Sequence, residues 1–83
     1  MNEDKVWLFY AHHIRKCFNL TPKQAETAVW ALRGRENNAI ANSMNISPET
    51  VNKHLDAVYK KAQVTSRSHL AALVLEDVAK MLQ

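Results

Sequence analysis

Asn52, Lys53, Asp56 and Lys60 recur along one side of a segment whose other side carries Val51, Leu55, Val58 and Ala62. The apolar set follows helical spacing, so one face anchors the segment and the other is left to solvent. The solvent-side set mixes an amide, two ammonium groups and a carboxylate, which donate and accept hydrogen bonds in different patterns. A helix held by one stripe and showing a varied polar stripe has the shape needed to lie in a DNA groove. Lys53, Lys60, Lys61 and Arg67 crowd into fifteen residues, whereas Glu76 and Asp77 lie beyond them. Their placement says more than the total, because a net charge of +3 and a pI near 9.3 are compatible with nucleic acid without requiring it.

His12, His13 and Cys17 form a second group with chemical potential. His13 and Cys17 stand at i, i+4 and so share one side of a helix. Two ligands do not make a zinc site, which takes about four, or three and a water. Cys17 also falls on an apolar stripe, where a buried thiol is inert. The expectation is no metal, no cofactor and no catalytic residue. Gly34 is the only glycine, which excludes a glycine-rich phosphate loop.

The elements that position these residues follow from composition. Eighty-three residues make one small domain with a modest core, and a single cysteine excludes an internal disulfide. One glycine and two prolines, in a chain rich in good helix formers, indicate an all-α protein. The acidic start MNEDK and the short run VWLFYA fit neither a secretory signal nor a membrane span, so a cytoplasmic protein with a reduced thiol is expected.

Residues 3 to 18 read as a first helix with Trp7, Tyr10, Ile14 and Cys17 on one stripe, widened by Val6, Phe9 and Phe18. So much aromatic surface is either core or a dimer contact. Thr21 and Pro22 open a second helix, buried through Ala25, Ala28, Val29 and Leu32 with Trp30 at its edge, and Gly34 ends it. A third helix runs from about Glu36 to Met44 with Ile40, Ala41 and Met44 inward, and MNIS turns into the long helix capped by Ser47 and Pro48. Thr65 and Ser66 cap a last helix that reaches about Leu82. Its Leu70, Ala71, Val74, Leu75, Val78, Met81 and Leu82 exceed the stripe of about 100° that a one-sided helix shows. One sector suits the core. The rest calls for a second copy of the chain or for the first helix.

In order stand Leu20-Thr21-Pro22, Glu26, Gly34, Asn37, Ile40-Ala41, Ile46-Ser47, Thr50-Val51, His54-Leu55, Tyr59, Lys61, Val64, Ser66-Arg67 and Leu70. On these residues and their spacing, positions 20 to 75 resemble the LuxR/GerE-type helix-turn-helix of LuxR-, FixJ- and NarL-like bacterial regulators. The resemblance implies an all-α, four-helix domain over residues 20–83 with an additional N-terminal helix in residues 1–19, which serves packing or a dimer contact. It implies that the third helix of the module reads the major groove and the fourth dimerises.

Carried over residue by residue, it places Asn52, Lys53 and Asp56 at base edges, where asparagine suits adenine, lysine guanine and aspartate cytosine. Asp56 reads equally well as a solvated partner of Lys53 or Lys60. Asn37, Ser47, Thr50, His54, Lys60, Lys61 and Arg67 fall on the phosphate side, and Ala71, Val74, Leu75, Val78 and Leu82 on the dimer seam. The function implied is a sequence-specific, non-enzymatic transcriptional regulator that binds double-stranded DNA as a homodimer on a two-fold symmetric site. No membrane partner is expected, and no small-molecule ligand is evident in the sequence. The alternative is a protein-interaction module of the same fold, docking on another regulator or on RNA polymerase.

This chain departs from the family pattern in three places. Lys23 and Gln24 stand where the family often has a basic and an acidic residue, so a salt bridge from the second position is missing. Asn38-Ala39 replaces a Lys-Glu pair and removes a phosphate contact. Ala62-Gln63 replaces Leu-Gly, which points to a turn that is strained or differently shaped. Only about twenty residues precede the module, as in a stand-alone regulator of the GerE kind or a piece cut from a longer chain, and the initial Met1 favours the former.

Overall fold

A computed structural model of the chain describes residues 3–83, so the first two residues of the 1–19 segment lie outside the described residues. Five helices follow one another: α1 (Glu3–Phe18), α2 (Pro22–Leu32), α3 (Asn37–Met44), α4 (Pro48–Ala62) and α5 (Arg67–Met81). No strand occurs among the described residues, and the all-α expectation holds. No helix among them is long and apolar enough to cross a membrane.

The path of the chain is set by four helix ends closed in one way. Asn19 (φ 56°), Gly34 (φ 84°), Asn45 (φ 56°) and Gln63 (φ 59°) each take the left-handed conformation just beyond a helix. The next amide then reaches back to a carbonyl in the last turn: Leu20 to Arg15 at 3.0 Å, Arg35 to Trp30 at 3.1 Å, Ile46 to Ala41 at 3.0 Å and Val64 to Tyr59 at 2.9 Å. This arrangement satisfies carbonyls that the helix leaves free. Asparagine tolerates it because its short amide interacts locally, and glycine because it has no Cβ. Gln63 has neither advantage. The turn after α4 therefore keeps the glycine-type shape and carries the strain in its backbone.

Extended cap residues open the next helices. Thr21 and Gln24 bond reciprocally, the Gln24 amide donating to Thr21 Oγ1 at 3.2 Å and the Thr21 amide to Gln24 Oε1 at 3.1 Å. Ser47 Oγ accepts from the Thr50 amide and Ser66 Oγ from the His69 amide, both at 3.1 Å. Glu36 precedes α3 without a side-chain cap bond.

One buried cluster joins α1, α2, α4 and α5 through Ile14, Leu20, Ala28, Val58, Leu70 and Val74. A second joins α2, α3 and α4 through Ala31, Ile40, Met44, Val51 and Leu55, and Tyr59 packs against both. Ile14, Trp7, Tyr10 and Phe18 make α1 part of the first cluster. Outside it, the Arg33 guanidinium lies over Trp7 and Trp30, 5.1 and 4.8 Å from the ring centroids, and bonds Glu3 at 2.8 Å.

Two expectations are corrected. Cys17 is exposed, not buried on the α1 stripe: it sits in the last turn of α1 beside His13 and Asp77, outside the buried cluster that takes in Ile14. Val74 faces the core at 2% exposure, so it is unavailable to any seam on the outside of α5.

A Cβ at Gly34 would meet nothing within 4 Å, so only the backbone conformation demands glycine there. Gly34→Ala is expected to lower stability by about 1 kcal/mol. Gln63→Gly is expected to raise it by roughly 0.5–1 kcal/mol, because removing the Cβ relieves more strain than the added unfolded-state freedom offsets. Urea midpoints at unchanged slope measure both, and a destabilised Gln63→Gly chain would refute the strain argument.

Candidate nucleic-acid interface

The pair α3 and α4 is joined by Asn45, Ile46 and Ser47, with Asn45 left-handed and Ser47 capping α4. Burial of Val51, Leu55, Val58 and Ala62 orients α4. Asn52, Lys53, Asp56 and Lys60 consequently lie together on its exposed side. Among the described residues the ion pairs are Lys23–Glu26 at 3.9 Å and Arg33–Glu3 at 2.8 Å. Asp56 is thus within ion-pair distance of neither Lys53 nor Lys60, and both ammonium groups face water. At the start of α4, Ser47 Oγ and Thr50 Oγ1 lie 2.9 Å apart. His54 is half-buried.

The remaining basic residues of this segment are held by the protein itself. Arg67, at the start of α5, donates to Asn37 Oδ1 at 2.9 Å and to the Arg35 carbonyl, and Asn37 Nδ2 donates to Asn52 Oδ1. The direction of this chain follows from chemistry. Guanidinium can only donate, so the Asn37 atom it meets is the oxygen, the other Asn37 atom is the N–H₂ group, and the Asn52 atom facing it accepts. Arg67 and Asn37, expected on the phosphate side, form a brace that ties α5, α3 and α4. The same brace leaves Asn52 with its Nδ2 donors uncommitted.

Lys61, also expected on the phosphate side, is engaged within the fold as well. Its ammonium donates to the Asn19 carbonyl at 3.0 Å and to Gln24 Oε1 at 2.9 Å, which carries it away from Lys53 and Lys60 toward the turn between α1 and α2. Gln24 thus supplies a neutral acceptor where a carboxylate was expected. No sequence signal marks these contacts, since the partners are remote along the chain and follow no period.

On α5, Ala71 and Val78 are half-buried, while Leu75 and Leu82 are 62% and 82% exposed. Trp7 and Tyr10 of α1 join Leu32 of α2 and Ala71, Val74 and Leu75 of α5 around one small cavity. The first helix therefore covers part of the apolar surplus of α5, and Leu75, Met81 and Leu82 stay bare.

Residues 18–74 match the family model described as GerE: bacterial regulatory proteins, luxR family. The match runs from the last residue of α1 into α5 and takes in more than half of the chain. No curated protein and no solved structure matches.

The brace gives Arg67 a structural role that stability alone can test. Arg67→Ala is expected to lower unfolding free energy by roughly 1.5–3 kcal/mol, because charge-assisted bonds are lost and two acceptors are stranded. Arg67→Lys should recover only part of it, since an ammonium lacks the planar fork. Urea unfolding reads both, and a stability unchanged by Arg67→Ala would return the residue to the free surface.

Proposed function

Since the chain belongs to the luxR family of bacterial regulatory proteins and is thereby a DNA-binding regulator of transcription, we propose that it reads a two-fold symmetric site as a homodimer, with α4 in the major groove. The observation that carries this is the split of α4, whose apolar stripe is buried while Asn52, Lys53, Asp56 and Lys60 are exposed along one side. Lys53 donates to an acceptor edge such as guanine O6 and N7, and Asp56 accepts from a cytosine amino group. Asn52 has its oxygen engaged by Asn37 and offers its N–H₂ donors. It is better suited to an acceptor edge than to the two-way pairing with adenine, which needs that oxygen as well. Lys60, His54, Thr50 and Ser47 flank these residues and take phosphates. Such a domain is typically non-enzymatic.

The dimer seam runs along Ala71, Leu75, Val78 and Leu82, which recur at helical spacing on the side of α5 left uncovered or half-covered. Two copies joined there hold two α4 helices at half-sites about one helical turn apart, or a multiple of it.

Selection of bound fragments from random duplexes is expected to return inverted repeats. Against the selected duplex, Lys60→Ala should reduce the slope of log affinity against log salt by about 0.9, the share of one phosphate. Lys53→Ala should weaken binding by roughly 1–3 kcal/mol and relax the preference at one base pair. Titrations over a salt series measure both. If the parent chain shows no salt-sensitive binding to any duplex, a protein-interaction module of the same fold replaces this proposal. Leu75→Glu is expected to sediment as a monomer, whereas an unchanged mass would move the seam to α1.

A further inference from the structure

His13, Cys17 and Asp77 each bring one ligand atom to within 4.8 Å of the others. Two of these residues stand one turn apart on α1, and the third comes from the far end of α5. Cys17 Sγ lies 3.5 Å from His13 Nε2. Bonds of about 2.3 Å to sulfur and 2.0–2.1 Å to nitrogen, meeting at a tetrahedral angle, set those two atoms about 3.5 Å apart. A hydrogen bond between neighbours on one helix explains that distance alone, but it does not explain the carboxylate that arrives from another helix.

We propose that His13, Cys17 and Asp77 bind a divalent ion of the zinc class, with water as the fourth ligand. This goes beyond DNA recognition and does not depend on it. The donor set selects the ion. Sulfur and imidazole nitrogen suit zinc and its borderline neighbours, whereas magnesium and calcium take oxygen ligands. Three protein ligands and one exchangeable position form a recognised zinc arrangement. Cys17 is exposed, so the ion has a path to the site.

Phe9 stacks on the His13 ring at 6.0 Å between centroids and 11° between planes, which holds the imidazole in orientation. Entry of the ion releases the Sγ–H proton to water and leaves thiolate, imidazole and carboxylate around one dication. The ion then pins the last turns of α1 to the C-terminal half of α5.

The test uses the reduced full chain without a purification tag, titrated with Co²⁺ as the spectroscopic stand-in for zinc. One equivalent is expected to bind with a thiolate-to-cobalt charge-transfer band, and Zn²⁺ should abolish the band by displacement. Cys17→Ser should remove it. Asp77→Asn keeps the side-chain shape, and with an unchanged helical spectrum it should weaken binding about tenfold or more, because losing even an outer partner of a ligand costs 10- to 100-fold. A band that fails to saturate at one equivalent overturns the site, and so does an Asp77→Asn chain that binds Co²⁺ like the parent.

Discussion

One burial requirement governs this protein: the apolar stripe of α4 has to close two clusters at once. Val58 and Ala62 complete the cluster shared with α1, α2 and α5, while Val51 and Leu55 complete the one shared with α2 and α3. Each fully buried valine or leucine contributes roughly 1.5–3 kcal/mol, more than any exposed ion pair on this surface. No rotation of α4 about its axis leaves both clusters filled. The direction of its polar side is therefore a consequence of core packing, and Asn52, Lys53, Asp56 and Lys60 face solvent without needing interactions of their own.

Polar contacts add what burial leaves loose. The stripe fixes the rotation of α4 but constrains its ends less, and both ends are held by cations that the bare sequence would place in water. Arg67 and Asn37 brace the first half of the helix, and Lys61 ties its last turn to Asn19 and Gln24. Gln24 shows how a departure from the family pattern is absorbed. It closes the cap with Thr21 and accepts from Lys61 through one oxygen, so a neutral amide does both tasks.

Local periodicity made the helices, their caps and the inward face of α4 legible in the sequence, because each depends on residues within a turn or two of one another. The orientation of long polar side chains was not legible. Arg67 reads as a free cation until α3 supplies Asn37 and the turn before it the Arg35 carbonyl, and Lys61 until the turn after α1 supplies Asn19. Cys17 and Val74 failed for a related reason: a stripe identifies apolar positions but not which of them a neighbour reaches. Trp7 and Tyr10 cover part of α5 that periodicity alone left open. Asp77 belongs with these cases, since no spacing rule links it to His13 and Cys17.

The diversion of Arg67 and Lys61 into the fold bears on how the proposed regulator would hold DNA. Of the four basic residues between 53 and 67, the protein engages two and leaves Lys53 and Lys60 on the α4 face. Phosphate neutralisation supplies most non-specific affinity, so a single copy with few free cations binds weakly and with a shallow salt response. Joining two copies makes the second contact intramolecular, which multiplies affinity without adding a residue. On the proposed reading, a domain that commits two of its cations to bracing α4 depends more heavily on pairing. That dependence gives weight to the exposed leucines of α5, and to α1, which lies against the same helix and limits how much of it a partner can reach.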